Sequence, residues 1–290
     1  SRFGYPRNER RLDKLTILDK INNKPEIYTF TYDETAYTGH LSKAMDYWGY
    51  YNGANNTNLV PRQTIQMGLA APTPRGYYGA ATIGTANREP NIICARHTLK
   101  TITYPTGLKD EFTYELHKYK DPRTSQIKQA GGLRIRSIYS YNHDRSILKR
   151  REFRYGDNDE GVIWIPPYPE LYQQHHTKEY RYANWTDSRR YRIFSSNSVM
   201  SLTNSNGSPV LYNKVTEIIG GDVKTVYRYD CYSNYSLATS PGYVPRFIRD
   251  NMDEWSRNKL TKKENLVKEN NVEKVRNEES YNYTTFTMPG

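Results

Sequence analysis

The chain has 290 residues and sets 42 Lys and Arg against 31 Asp and Glu, a net charge of +11; no apolar run approaches the roughly 18 residues that a membrane-spanning helix needs. Leu, Ile, Val and Phe make up only 53 of the 290 residues, near the composition of disordered chains, but 28 tyrosines supply rings that a core can bury while their hydroxyls find partners. The two cysteines, Cys94 and Cys231, exclude a disulfide scaffold or a structural zinc site and leave open one bridge or two free thiols.

Ser1 to Pro6 hold no initiator Met and no charged-then-apolar leader, so the chain reads as an excised portion of a longer protein. Leu12 to Ile17 and Ile27 to Asp33, joined through Asn22-Asn23, predict a first β-hairpin. From 34 to 97 the chain is rich in Gly, Pro and Asn, as in Ala70-Ala71-Pro72-Thr73-Pro74, and predicts a long inserted loop region. Connections of that length in compact proteins are usually functional or disordered, and the aromatic content here argues for order.

Within that insertion lies Asp46-Tyr47-Trp48-Gly49-Tyr50-Tyr51-Asn52-Gly53, followed by Asn55-Asn56-Thr57-Asn58. The rings of Trp48, Tyr50 and Tyr51 can pack on sugars while Asp46, Asn52 and Asn55 fix orientation, which makes these six residues a candidate carbohydrate site. A second reading has Trp48 and its neighbours plug one end of the β structure, with Gly49 and Gly53 allowing tight turns.

Leu99 to Tyr104, the turn Pro105-Thr106-Gly107 and Asp110 to Glu115 predict the next hairpin, and Leu133 to Tyr141 followed by Asn142-His143-Asp144 and Ile147 to Tyr155 predict another. A second inserted region, 157–209, contains Ile165-Pro166-Pro167-Tyr168-Pro169 and an aromatic stretch of Tyr168, Tyr172, Tyr180, Tyr182 and Trp185, to which the same two readings apply. Tyr212 to Ile218 turns at Gly220-Gly221-Asp222 and returns along Lys224 to Asp230; 231–256 is again irregular. Leu260 to Asn282 has the Lys and Glu content of an exposed helix. The Asn270-Asn271 midpoint, flanked by Val267 and Val272, favours a fifth hairpin.

Four returns end in aromatic-x-aromatic: Phe30 and Tyr32, Phe112 and Tyr114, Phe153 and Tyr155, Tyr227 and Tyr229. Period two places both rings of a pair on one face, which predicts stacking into a continuous wall.

No catalytic constellation is legible. His175-His176 would point to opposite faces of a strand and lacks the spacing of a metal site. Asp46, Asp187, Asp250 and Asp253-Glu254 cannot be paired from sequence, and there is no nucleophile elbow or phosphate-binding Gly loop. The expectation is a non-enzyme without metal or cofactor. Arg10-Arg11, Lys149-Arg150-Arg151, Arg189-Arg190 and Lys262-Lys263 are scattered among acids, as on solvated faces that discourage strand-edge pairing. That pattern argues against a specific nucleic-acid partner and leaves attraction to an anionic cell-surface polymer as a use for the charge.

Leu99 to Tyr114 and Val215 to Asp230 resemble the units of the YD-repeat, or RHS-type, family. The Asp46 to Gly53 piece, with Asn55 to Pro61 and Gly131-Gly132-Leu133-Arg134-Ile135, is similar to a segment of large surface proteins of Bacteroidetes-type bacteria. The resemblance implies an extracellular or cell-surface array of antiparallel hairpins; in RHS proteins such arrays can coil into a shell. The expected fold is therefore all-β, a continuous hairpin array over 1–290 with aromatic-rich loops. The expected role is structural or adhesive, with carbohydrate binding as the alternative. Expected partners are other segments of the same large protein, other surface proteins and glycans, with membrane attachment only through a tether outside this chain.

Overall fold

A computed structural model of the protein describes residues 11–18, 25–35, 42–66, 80–181, 183–184, 186–198, 201–203, 207–231, 235–238, 246–249, 258–270 and 272–284. Strand β1 (Lys14–Leu18) and β2 (Pro25–Tyr32) precede the short β3 (Gln63–Gln66) and β4 (Ala80–Ile83). Then come β5 (Leu99–Thr103), β6 (Lys109–Lys120), β7 (Ile127–Tyr141), β8 (Ile147–Tyr155) and β9 (Val162–Ile163). The second half holds β10 (Gln173–Arg181), β11 (Thr186–Phe194), β12 (Val210–Leu211), β13 (Lys214–Ile219) and β14 (Val223–Tyr229). It closes with β15 (Tyr235–Ala238), β16 (Arg246–Arg249), β17 (Leu260–Glu269) and β18 (Val272–Ser280). The fold is all-β, as expected; among the described residues the helical content is two 3-10 turns, Ile92–Ala95 and Pro169–Tyr172, and no helix is long and apolar enough to cross a membrane.

Ten strands form one antiparallel sheet in the order β1-β2-β5-β6-β7-β8-β13-β14-β17-β18. Spatial order follows chain order because each hairpin turn carries its own signal. Gly220 and Gly221 take φ +61° and +95° in the turn between β13 and β14, values that cost an L side chain steric strain. Between β17 and β18, Asn270 adopts φ +50° and Glu269 pairs with Val272, the tight connection that Asn favours. That segment is therefore a hairpin and not a helix.

The insertions are not without regular structure. The first contains the β3–β4 pair and the second contains the β10–β11 hairpin, whose Gln173↔Phe194 to Arg181↔Thr186 register spans nine residues on each side. The second insertion is closed at its base by β9 pairing with β12. The connection at Asn22-Asn23, the run 70–74, Asp253-Glu254 and Arg10 lie outside the described residues.

The aromatic wall does not form. The pairings Phe112↔Ile138, Ile138↔Arg151 and Tyr155↔Val215 put the rings of successive returns on one face. Among the described residues, however, no ring contact joins one return's pair to another's. The physical reason is that an outgoing strand separates consecutive returns. Two strand spacings are about 9.6 Å, beyond the roughly 4.5–7 Å at which rings interact. Charged side chains fill the interval: the Arg151 guanidinium lies 5.5 Å from the Phe153 ring centre and pairs with Glu217 at 2.6 Å.

The core is built where the second insertion folds over the middle of the sheet. One buried cluster joins Trp164, Ile165, Leu171, Tyr172, Leu202 and Leu211, with Tyr47, Trp48 and Cys231 packed against it. A second joins Tyr119, Ala130, Ile163, Val210 and Tyr212, with Trp48, Tyr155 and Val215 against it. Trp48 belongs to both.

Candidate functional site

The loop from Asp46 to Asn52 is organised by one carboxylate. Asp46 is wholly buried; its Oδ1 accepts from the amides of Trp48 and Tyr50, both at 2.9 Å, while its own amide donates to the Tyr50 carbonyl at 2.8 Å. An Asp side chain that takes amides two and four residues on imposes a tight turn. Burial dominates its titration and pushes the carboxyl up to about 6, against the opposing hydrogen bonds from Tyr50 and Trp48 and the charge of Arg88.

This turn is pressed onto β7. A Cβ on Gly131 would come within 2.9 Å of Trp48 Cε3 and of Tyr50 Cδ2 and closer still to Asp46 Oδ2; one on Gly132 would lie 3.1 Å from the Tyr50 hydroxyl. The Gly-Gly pair inside a strand is thus explained by close approach of a second backbone segment. Trp48 is half-buried between the two core clusters with its indole N–H enclosed and without an acceptor among the described residues.

Asn52 is 6% exposed and its amide is fully committed: Nδ2 donates to the Asn87 and Glu89 carbonyls at 3.0 Å and Oδ1 accepts from the Ala54 amide at 3.1 Å. Tyr51 is half-buried under the Arg96 guanidinium, 5.3 Å from its ring centre. Tyr50 is 37% exposed, and Asn55 is exposed. The six candidates therefore divide. Asp46, Trp48 and Asn52 face inward and hold the loop; Asn55 is exposed; Tyr50 rests its ring on Gly131 and Gly132 and leaves the other side exposed; Tyr51 lies between. Asn56 and Asn58, which the sequence reading passed over, pin the loop to 84–88 through the Asn87 carbonyl at 3.0 Å and Thr85 Oγ1 at 2.7 Å.

Arg88 was also missed. It is 5% exposed. Its Nε and Nη2 donate to the Asp46 carbonyl at 3.0 and 2.7 Å, and its Nη1 donates to the Leu59 and Ser196 carbonyls at 2.8 and 3.0 Å. One guanidinium thus ties the aromatic loop to both insertions. Nothing in the local sequence marks it, since its acceptors are backbone carbonyls far along the chain.

Of the second aromatic stretch, Tyr168 and Tyr172 are buried. The Tyr168 hydroxyl donates to Asp121 at 2.8 Å, with the Arg123 guanidinium 3.5 Å from its ring centre. The Tyr180 ring lies 4.9 Å from the Lys178 ammonium, and Tyr182 and Trp185 lie outside the described residues. His175 and His176 lie on β10 opposite Arg192 and Tyr191. Cys94 and Cys231 are both free, and burial pushes each thiol up to about 12. Among the described residues no three His, Cys, Asp or Glu side chains gather as metal ligands.

A buried polar network stands beside the core. Arg134, 4% exposed, pairs with Glu115 at 2.9 Å and with Asp159, donates to the Tyr212 hydroxyl at 3.0 Å and lies 4.5 Å from the Tyr155 ring centre. His117 Nδ1 is 3.0 Å from the same hydroxyl; burial and the nearby Arg134 charge push the imidazole down to about 4, so it is neutral at pH 7. Next to this network the sheet forms a groove of about 800 Å³, crossed by β6, β7, β8, β13 and β14. No protein-family description, curated protein or solved structure matches the chain.

Proposed function

We propose that this chain is a non-catalytic structural or adhesive segment of a large secreted or cell-surface protein of the RHS type, a scaffold or shell that presents loops. The observation that supports this reading best is the inward commitment of the aromatic loop. Asp46 Oδ1 and the Asn52 amide are engaged in closing the loop, and the Trp48 ring is pressed against Gly131 of β7. A sheet whose strands follow one another in chain order is also suited to extension by further hairpins, with neighbour-to-neighbour packing supplying stability. Its partners are then other segments of the same protein and other surface proteins, with membrane attachment through a tether elsewhere.

Glycan capture by the loop itself is the second reading, and the exposed side of Tyr50 and the exposed Asn55 favour it. The two separate on Trp48→Ala. The scaffold reading expects a loss of at least about 2 kcal/mol, as for truncating a large ring in a core, read from a urea or thermal melt. An unchanged melt together with lost retention on a glycan array would replace it with the binding reading.

A further inference from the structure

The groove on the sheet face has a charge arrangement that the scaffold role does not use. Each of its five carboxylates is held by a cation of the fold. Glu152 is paired with Arg150, Asp157 with Lys214 at 2.8 Å, Asp159 with Lys118, Glu273 with Lys224 and Glu115 with Arg134 at 2.9 Å. Two lining arginines are left over. Arg136 and Arg154 are exposed, and their guanidinium groups make no hydrogen bond or ion pair among the described residues. Both line the groove: Arg154 shares the face of Glu152 and of Ser137, with which Glu152 pairs, and Arg136 is the extra residue beside Ser137 where the β6–β7 register shifts between Thr113 and Tyr114.

We propose that this groove binds an acidic polysaccharide, whose carboxylates or sulfate esters are taken by the Arg136 and Arg154 guanidinium forks. This rests on the adhesive side of the function proposed above and names the ligand class. Guanidinium matches such planar or tetrahedral anions with paired N–H donors. The rest of the lining offers what a sugar chain uses: the Ser137 and Thr216 hydroxyls, the Asn158 amide and the Tyr139 ring. Nucleic acid fits less well, since a duplex carries a charge about every 1.7 Å, far more than two unpaired guanidiniums can answer, whereas an acidic polysaccharide spaces its charges by whole sugar units. An apolar-anchored peptide finds few apolar groups there, chiefly Phe153, Ile218 and Val226 among twenty mostly polar residues.

The test is affinity electrophoresis of the whole chain in gels carrying polygalacturonate, chondroitin sulfate or neutral dextran, at low and physiological salt. A DNA 20-mer and poly-glutamate are added as competitors. Wild type is compared with Arg136→Gln/Arg154→Gln and with Arg62→Gln/Lys100→Gln, an equal charge change at two exposed positions elsewhere. The expected result is retention by an acidic gel at physiological salt, at least tenfold weaker in the groove variant, kept in the other variant and absent in dextran. The polygalacturonate and sulfate arms show which anion is preferred. Equal loss in both variants, no retention, or tighter competition by DNA or poly-glutamate overturns the proposal. The groove variant should melt as wild type does. A lost retention with an unchanged melt therefore speaks to the groove alone, whereas the scaffold reading stands or falls on Trp48→Ala.

Discussion

Replacing Gly131 by Ala tests whether the aromatic loop is held against β7. The new methyl would sit 2.9 Å from Trp48 Cε3 and from Tyr50 Cδ2, and nearer to Asp46 Oδ2. None of the three can retreat cheaply. Trp48 is wedged between both core clusters, and Asp46 is fixed by two amides to its Oδ1 and by Arg88 on its carbonyl. Overpacking of this kind costs about 1–3 kcal/mol. If the loop lifts instead, buried hydrogen bonds are lost at about 1–3 kcal/mol for each group left unpaired. A total of about 2–5 kcal/mol is expected, read as a lower urea midpoint at unchanged slope. Gly220→Ala is the comparison, since φ there is +61° but nothing lies within 4 Å of the new methyl. It should cost only the backbone strain of about 1–2 kcal/mol. Adding Trp48→Ala to Gly131→Ala should relieve the part of the clash that the indole makes and leave room for Asp46 and Tyr50 to shift, so the double variant should be more stable than the sum of the singles predicts. Strict additivity, or a Gly131→Ala loss no greater than that of Gly220→Ala, would refute the close-packed loop.

Asp46 makes a pH-dependent contribution whose sign is unusual for a carboxylate. Its folded value of about 6 exceeds the ordinary 3.8, so the stabilisation is fully present below pH 4 and is lost as pH rises through 6. A rise of roughly two pH units corresponds to about 3 kcal/mol. Subtracting the urea-stability profile of Asp46→Asn from that of wild type should reveal that slope between pH 4 and 6, and a flat difference would contradict it. Arg88→Met keeps the stem but strips four hydrogen bonds from three carbonyls. A loss of about 3–5 kcal/mol is expected in the same melts, and a loss below about 1 kcal/mol would show that water or a neighbour replaces the guanidinium.

The hairpins were legible because their signals are local. Alternation, a turn residue and a second alternating run lie within some 20 residues, and even the Lys- and Glu-rich 260–282 segment yields to its central Asn270. The 46–53 loop was legible as a place, since its density of rings and amides is plain, but the roles of its residues were not. Whether Asn52 faces a sugar or a backbone carbonyl depends on Asn87 and Glu89, more than 30 positions away. Counting along the chain also misplaced the aromatic wall, because it ignored the strand that each hairpin inserts between two returns. The groove was hidden altogether. Its charges come from several strands that only the register brings together, and what distinguishes Arg136 and Arg154 is which other cations have already taken the acids.

The nearest-neighbour strand order also bears on how the chain reaches this structure. Every pairing in the ten-stranded sheet joins elements consecutive in its order, so ordering can begin at any hairpin and spread outward without threading. Lengthening an excursion is inexpensive at equilibrium, about 0.6 kcal/mol per doubling, although β2 must still find β5 across an intervening stretch from Tyr32 to Leu99. What binds the central strands into one unit is the set of remote fasteners. The Arg88 link to Ser196 spans 108 positions, and β9 is clasped to β12. Both act on the middle of the array. Opening should therefore proceed inward from β1 and β18 and stop where these fasteners begin, leaving a cooperative centre between two ends that exchange freely.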